Sequence, residues 1–70
     1  MTNGVELKQA IRESGVSITF LASQMDCSRN RIYAIINGAD CTASEISSLS
    51  KLLHLTKAKR DHIFLTENVN

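Results

Sequence analysis

Apolar positions along this chain recur at intervals of three and four, and the recurrence is interrupted about every ten residues by a small polar residue or a glycine. The pattern predicts five short helices. Asn3 with Glu6 three residues on makes a capping pattern; Val5, Leu7, Ala10 and Ile11 follow at helical spacing, and Gly15 supplies a left-handed stop, so the first helix covers roughly residues 4 to 14. Ser17 caps a second segment of about eight residues carrying Phe20, Leu21, Ala22 and Met25, which Asp26 and Cys27 interrupt. Ser28 caps a third, with Ile32, Ile35 and Ile36 on one side, Arg29, Asn30 and Tyr33 elsewhere on the cylinder, and Asn37-Gly38 at its end. Thr42 and Glu45 form a capping box ahead of Ile46, Leu49, Leu52 and Leu53, a mainly core-facing helix with serines opposite. Thr56 opens a fifth helix running to about Leu65, after which Thr66 to Asn70 read as a polar, frayed tail. No alternating run supports a strand; Val16 to Phe20 is too short to decide. The expectation is one all-α domain of 70 residues.

Only Asp26, Cys27 and Ser28 join the second and third helices, and Leu21, Ala22, Met25, Cys27, Ile32 and Ile35 are spaced to close a compact angle between them. Such spacing predicts a helix-turn-helix over residues 17 to 38, with Ala22 small because the next helix crosses there. The residues Gly15-Val16-Ser17, Leu21-Ala22, Ser28-Arg29, Ile32, Ile35 and Asn37-Gly38 resemble, without a gap, the Cro and repressor family of phage and bacterial regulators. The resemblance runs from Leu7 to about Leu65. Thr42-Ala43-Ser44-Glu45-Ile46 is further similar to small regulators from temperate phages of Gram-positive bacteria, closest to Cro-like modulator-of-repression proteins that oppose a phage immunity repressor.

The resemblance implies a five-helix, lambda-repressor-like DNA-binding domain whose third helix enters the major groove of operator DNA. It places Arg29, Asn30, Tyr33 and Ala34 at the base-reading positions, with Arg31 free to take a base or a phosphate. Arginine can donate in bidentate fashion to guanine, asparagine can pair with adenine, and an alanine methyl can pack on thymine. Asn37 matches a position that bonds the DNA backbone, and Ser28 caps the helix whether or not it also meets a phosphate. Thr19, Lys57, Lys59 and Arg60 are further candidates for phosphate or partner contacts. Lys57, Lys59 and Arg60 oppose the dipole of their helix, as Arg29 and Arg31 oppose theirs, and the sequence offers only Asp61 as a nearby counter-charge.

Four departures from the family bear on whether that surface has been redirected. Ile18 stands where glutamine is usual and can donate nothing to phosphate; Asp26 replaces the usual glycine of the turn, which it tolerates better than most residues. Ile11 and Ile36 replace an arginine and a glutamate and should pack together in the core. Phe20 replaces a polar residue, and it either packs inward or forms an exposed apolar spot with Ile18. A second reading follows: an antirepressor that grips the DNA-binding domain of the opposing repressor through Ile18, Phe20, Arg29, Arg31, Tyr33 and Phe64. Ile63, Phe64 and Leu65 cannot all face inward on one helix, so at least one is left for a homodimer contact or partial exposure.

Composition narrows the classes. The formal net charge is only +1, which excludes a generic polycationic nucleic-acid coat. Its distribution is uneven, however: residues 27 to 39 hold Arg29 and Arg31 without an acid, and residues 51 to 60 hold Lys51, Lys57, Lys59 and Arg60. So short a chain buries about 60% of its unfolded surface, which leaves little room for an enclosed cleft. No nucleophile and base pair, carboxylate dyad or phosphate loop can be assembled, so neither catalysis nor a cofactor is expected; His54 reads as a helix-end residue and His62 follows a basic run. Cys27 and Cys41 read as free, packed thiols; they could in principle form one bridge, or a zinc site with His54 and His62, but their spacing is unlike that of metal ligands. Neither a membrane-length apolar run nor a signal peptide is present, so the expected setting is the cytoplasm of a bacterial host cell.

Overall fold

A computed structural model describes residues 1–65; the expected tail, Thr66 to Asn70, lies outside them. The described chain is all-helical: α1 (Gly4–Ser14), α2 (Ile18–Met25), α3 (Arg29–Ile36), α4 (Ala43–Leu52) and α5 (Lys57–Phe64). All five start the same way. The side chains of Asn3, Ser17, Ser28, Thr42 and Thr56 each accept the backbone N–H three residues on, satisfying a donor that the first helical turn leaves open. At α4 the box is reciprocal, because Glu45 Oε1 accepts from Thr42 N–H at 2.9 Å.

Three of the helix ends also share one device. After α2, α3 and α4 the chain turns through a left-handed residue: Asp26 at φ 55°, Gly38 at φ 103° and His54 at φ 54°. The next residue's N–H then reaches back five positions, Cys27 to Ala22, Ala39 to Ala34 and Leu55 to Ser50, each at 2.9–3.0 Å. These paired back-bonds close the orphan carbonyls of each helix, and two of the three use a non-glycine residue at a conformation that disfavours a Cβ. α1 ends at Gly15, with φ 76°.

The core comprises Leu7, Ala10, Ile11, Leu21, Ala22, Ile32, Ile35, Leu49, Leu53, Ile63 and Phe64. α1 lies against α3 and α5, and α4 against α2 and α5, so α3 is backed by α1 and α2 by α4, with α5 joining α1 and α4. Ile11 is buried, and Ile36 packs half-buried against the core. Val5, which the spacing assigned to the apolar stripe of α1, is 80% exposed. It sits about 160° around the helix from Leu7, on the side opposite Ala10 and Ile11.

A strap not foreseen from the sequence holds the start of α1. Thr2 is buried; its hydroxyl donates to Ala39 O at 2.7 Å, and Asn3 N–H donates to Ile63 O at 2.7 Å. Gly4 follows directly, pressed against the carbonyl of Ile36. Cys27 and Cys41 are free thiols, half-buried, and burial pushes the Cys41 thiol up from its ordinary value.

Candidate functional site

α3 presents two unlike sides. Successive residues rotate by about 100° around a helix. On that wheel Arg29, Tyr33, Asn37 and Asn30 fall within an arc of about 100°, and all four are exposed, Tyr33 by 50%. Ile32 and Ile35 occupy the opposite side at 1% and 0% exposure. Ala34 borders the outer arc and is half-buried; Ser28 is exposed, with its hydroxyl taken by Arg31 N–H at 3.1 Å. The cap at Ser28 and the back-bonds at Gly38 and Ala39 pin both ends, so the outer arc stands on a fixed rod. Arg29 has no ion-pair partner among the described residues.

Arg31 is engaged within the molecule. Its Nε lies 2.8 Å from Glu45 Oε2, one terminal nitrogen donates to Glu45 Oε1 at 2.8 Å, and that nitrogen also reaches Asp40 O at 2.8 Å. This fork geometry links α3 to the loop and first turn of α4. The hydrogen bonds from Arg31 hold the Glu45 carboxyl at about 2, well below the ordinary carboxylate range, and the same bonds raise the Arg31 guanidinium. The acid-free stretch from 27 to 39 is therefore not an acid-free surface. Across residues 17 to 50 two arginines share the chain with Asp26, Asp40 and Glu45.

On α2, Ile18 lines up with Leu21, Ala22 and Met25 at helical spacing and packs half-buried against the core. Phe20 is 44% exposed and lies on the other side, on an outer arc with Thr19, Ser23 and Gln24. The expected Ile18–Phe20 spot is thus reduced to Phe20, since residues two apart on a helix do not face each other. Phe64 is corrected as well: it is only 5% exposed and belongs to the core with Ile63, both reaching inward from the last turn of α5. Leu65 lies past the helix end, 59% exposed, and is the apolar residue of that trio left over.

The second basic cluster is largely engaged within the molecule. Lys59 Nζ lies 3.5 Å from Glu6 of α1, with His62 3.8 Å from the same carboxylate, and Arg60 pairs with Asp61 at 3.2 Å. Lys57 stays exposed. Sequence reading missed Glu6 and Glu45 as counter-charges because each acts on another helix, although both were visible in capping patterns. Among the described residues no group of three or more His, Cys, Asp or Glu is placed to hold a metal ion, and no helix is long and apolar enough to cross a membrane. No protein-family model, curated protein or solved structure matches the chain.

Proposed function

We propose that this chain is a regulator of the Cro/repressor helix-turn-helix type, a modulator of repression in a phage developmental switch, whose working surface is the outer arc of α3. The observation that carries this reading is the exposure of Arg29, Asn30, Tyr33 and Asn37 on one arc of a helix whose other side is buried. In this reading Arg29 donates to guanine, Asn30 pairs with adenine, and Ala34 lies close enough to the arc to meet a thymine methyl. Ser28, Asn37, Thr19 and Lys57 supply backbone contacts. One such helix makes few base contacts, so tight binding calls for two copies on a two-fold operator, with Leu65 as the apolar residue available for pairing.

A second occupant of the same surface is the DNA-binding domain of the opposing repressor. One observation favours it: Arg31 is taken by Glu45, while Phe20 and Tyr33 stay exposed, leaving two aromatic anchors beside the single unpaired cation Arg29 on these helices. Aromatic residues and arginine are the groups on which protein interfaces concentrate their energy. Titration of the purified protein with operator DNA, with and without the repressor, separates the two. If DNA is read directly, Arg29→Ala weakens binding to one preferred sequence by about 1–3 kcal/mol. If the repressor is captured, Phe20→Ala and Tyr33→Ala abolish its release from operator while the variants remain folded. A wild type that neither binds a preferred duplex nor releases the repressor refutes the proposal.

A further inference from the structure

We propose that Glu45 is a specificity determinant that withholds Arg31 from nucleic acid. This inference rests on the reading of the outer arc of α3 as the working surface.

Arg31 lies on the same helix as Arg29 but about 100° beyond the arc, past Ala34 and toward the buried side, and its side chain is 34% accessible. Released from its partners, so long a side chain would give α3 a second free cation beside that surface. Instead its Nε and a terminal nitrogen meet the two oxygens of one carboxylate at 2.8 Å, in the planar two-point geometry with which guanidinium binds phosphate. Glu45 thus occupies the arginine as an internal counter-ion. The carboxylate is itself fixed, because Thr42 N–H donates to its Oε1 at 2.9 Å while its own N–H is capped by the Thr42 hydroxyl at 3.1 Å. A third bond, from Arg31 to Asp40 O at 2.8 Å, ties the guanidinium to the loop before α4. A phosphate would have to replace all three bonds to recruit Arg31, whereas recruiting Arg29 breaks none. The surface therefore discriminates against polyanions in general while keeping Arg29 for a geometrically matched partner.

Salt dependence tests this without knowledge of the operator. A labelled duplex of arbitrary sequence is titrated with the wild type, Glu45→Gln, Arg31→Ala, the double variant, and Glu13→Gln as a control for net charge. The Gln side chain leaves an acceptor for Thr42 N–H but removes the counter-ion. Each phosphate neutralised adds about 0.9 to the slope of log affinity against log salt, so Glu45→Gln should lose about 3- to 4-fold more affinity than wild type between 50 and 200 mM salt. Arg31→Ala, Glu13→Gln and the double variant should keep the wild-type slope. The proposal is overturned if Glu45→Gln keeps that slope or binds no duplex, if the double variant stays as steep as Glu45→Gln, or if Arg31→Ala lowers the slope by about 0.9. Should Glu45→Gln fail to fold, Arg31→Ala decides alone: an unchanged slope supports the assignment and a reduced one defeats it. Failure of the broader functional reading shows separately, as loss of any effect of Arg29→Ala in operator and repressor titrations.

Discussion

Replacing Gly4 by alanine tests the packing that sets α3 in place, because here the usual effect of the substitution should reverse. Within an open helix the change gains up to about 1 kcal/mol. At Gly4, however, a methyl group would overlap the carbonyl oxygen of Ile36 and lie 2.7 Å from its carbonyl carbon, where ordinary contact begins at 3.4 Å. The obstacle is backbone, so no rotamer change removes it. Relief requires α1 to move away from the end of α3, and the neighbouring bonds from Thr2 to Ala39 O and from Asn3 to Ile63 O, both 2.7 Å, resist that motion. Overpacking of this kind costs about 1–3 kcal/mol, and each hydrogen bond lost adds about 1 kcal/mol. Set against the propensity gain, the net loss is about 2 kcal/mol. At about 4–8 °C per kcal/mol for a domain of this size, the Tm should fall by about 8–16 °C. Thermal unfolding followed by far-ultraviolet circular dichroism measures it, with Gly15→Ala alongside. An added Cβ at Gly15 meets nothing within 4 Å, and the φ of 76° alone makes that change unfavourable, by about 1–2 kcal/mol. A Gly4→Ala protein that melts at or above the wild-type temperature refutes the argument.

Two further measurements probe the assignments at α5 and at Glu45. In urea unfolding Phe64→Ala should cost about 3–5 kcal/mol, as for other buried aromatics, and Leu65→Ala no more than about 0.5 kcal/mol; equal losses would remove the distinction between core and leftover surface. The Glu45 carboxyl sits at about 2 against an ordinary 4.5, so the folded chain binds this proton less readily than the unfolded one. The stabilisation it brings is complete above about pH 4.5 and is lost as pH falls toward about 2. Over that window the wild-type Tm should fall more steeply than that of Glu45→Gln, and parallel curves would count against the ion pair.

The helix starts were legible because each is written within four residues: Asn3, Ser17, Ser28, Thr42 and Thr56 meet donors only three positions away. The turn at Asp26, which is left-handed at φ 55°, was legible through the resemblance, where glycine is usual and aspartate is among the residues that tolerate it. His54 could be read as a helix end but not as a left-handed one, since that conformation is set by the back-bond from Leu55 to Ser50 and not by any preference of histidine. What stayed hidden was side-chain pairing across elements. Arg31 and Glu45 are 14 positions apart, and Lys59 meets a carboxylate on α1, so charge counted along the chain overstated the free cations on both basic stretches. The Phe64 and Leu65 assignment turned on where α5 stops, a matter of one residue on which helix periodicity is weakest. Strand-like or helical spacing likewise said nothing about Thr2, whose burial depends on the loop around Ala39.

The caps divide the labour of the sequence. The start of α3, the left-handed turn beyond its end and its inward face are fixed by Ser28, Gly38, Ile32 and Ile35, none of which lies on its outer arc. Asn30, Tyr33 and Arg29 supply neither a cap nor fully buried area, so the letters at these three positions can be rewritten without moving the helix that carries them. In the proposed reading, such a scaffold lets selection retarget the surface in single steps, each changing what is recognised while the frame is left in place.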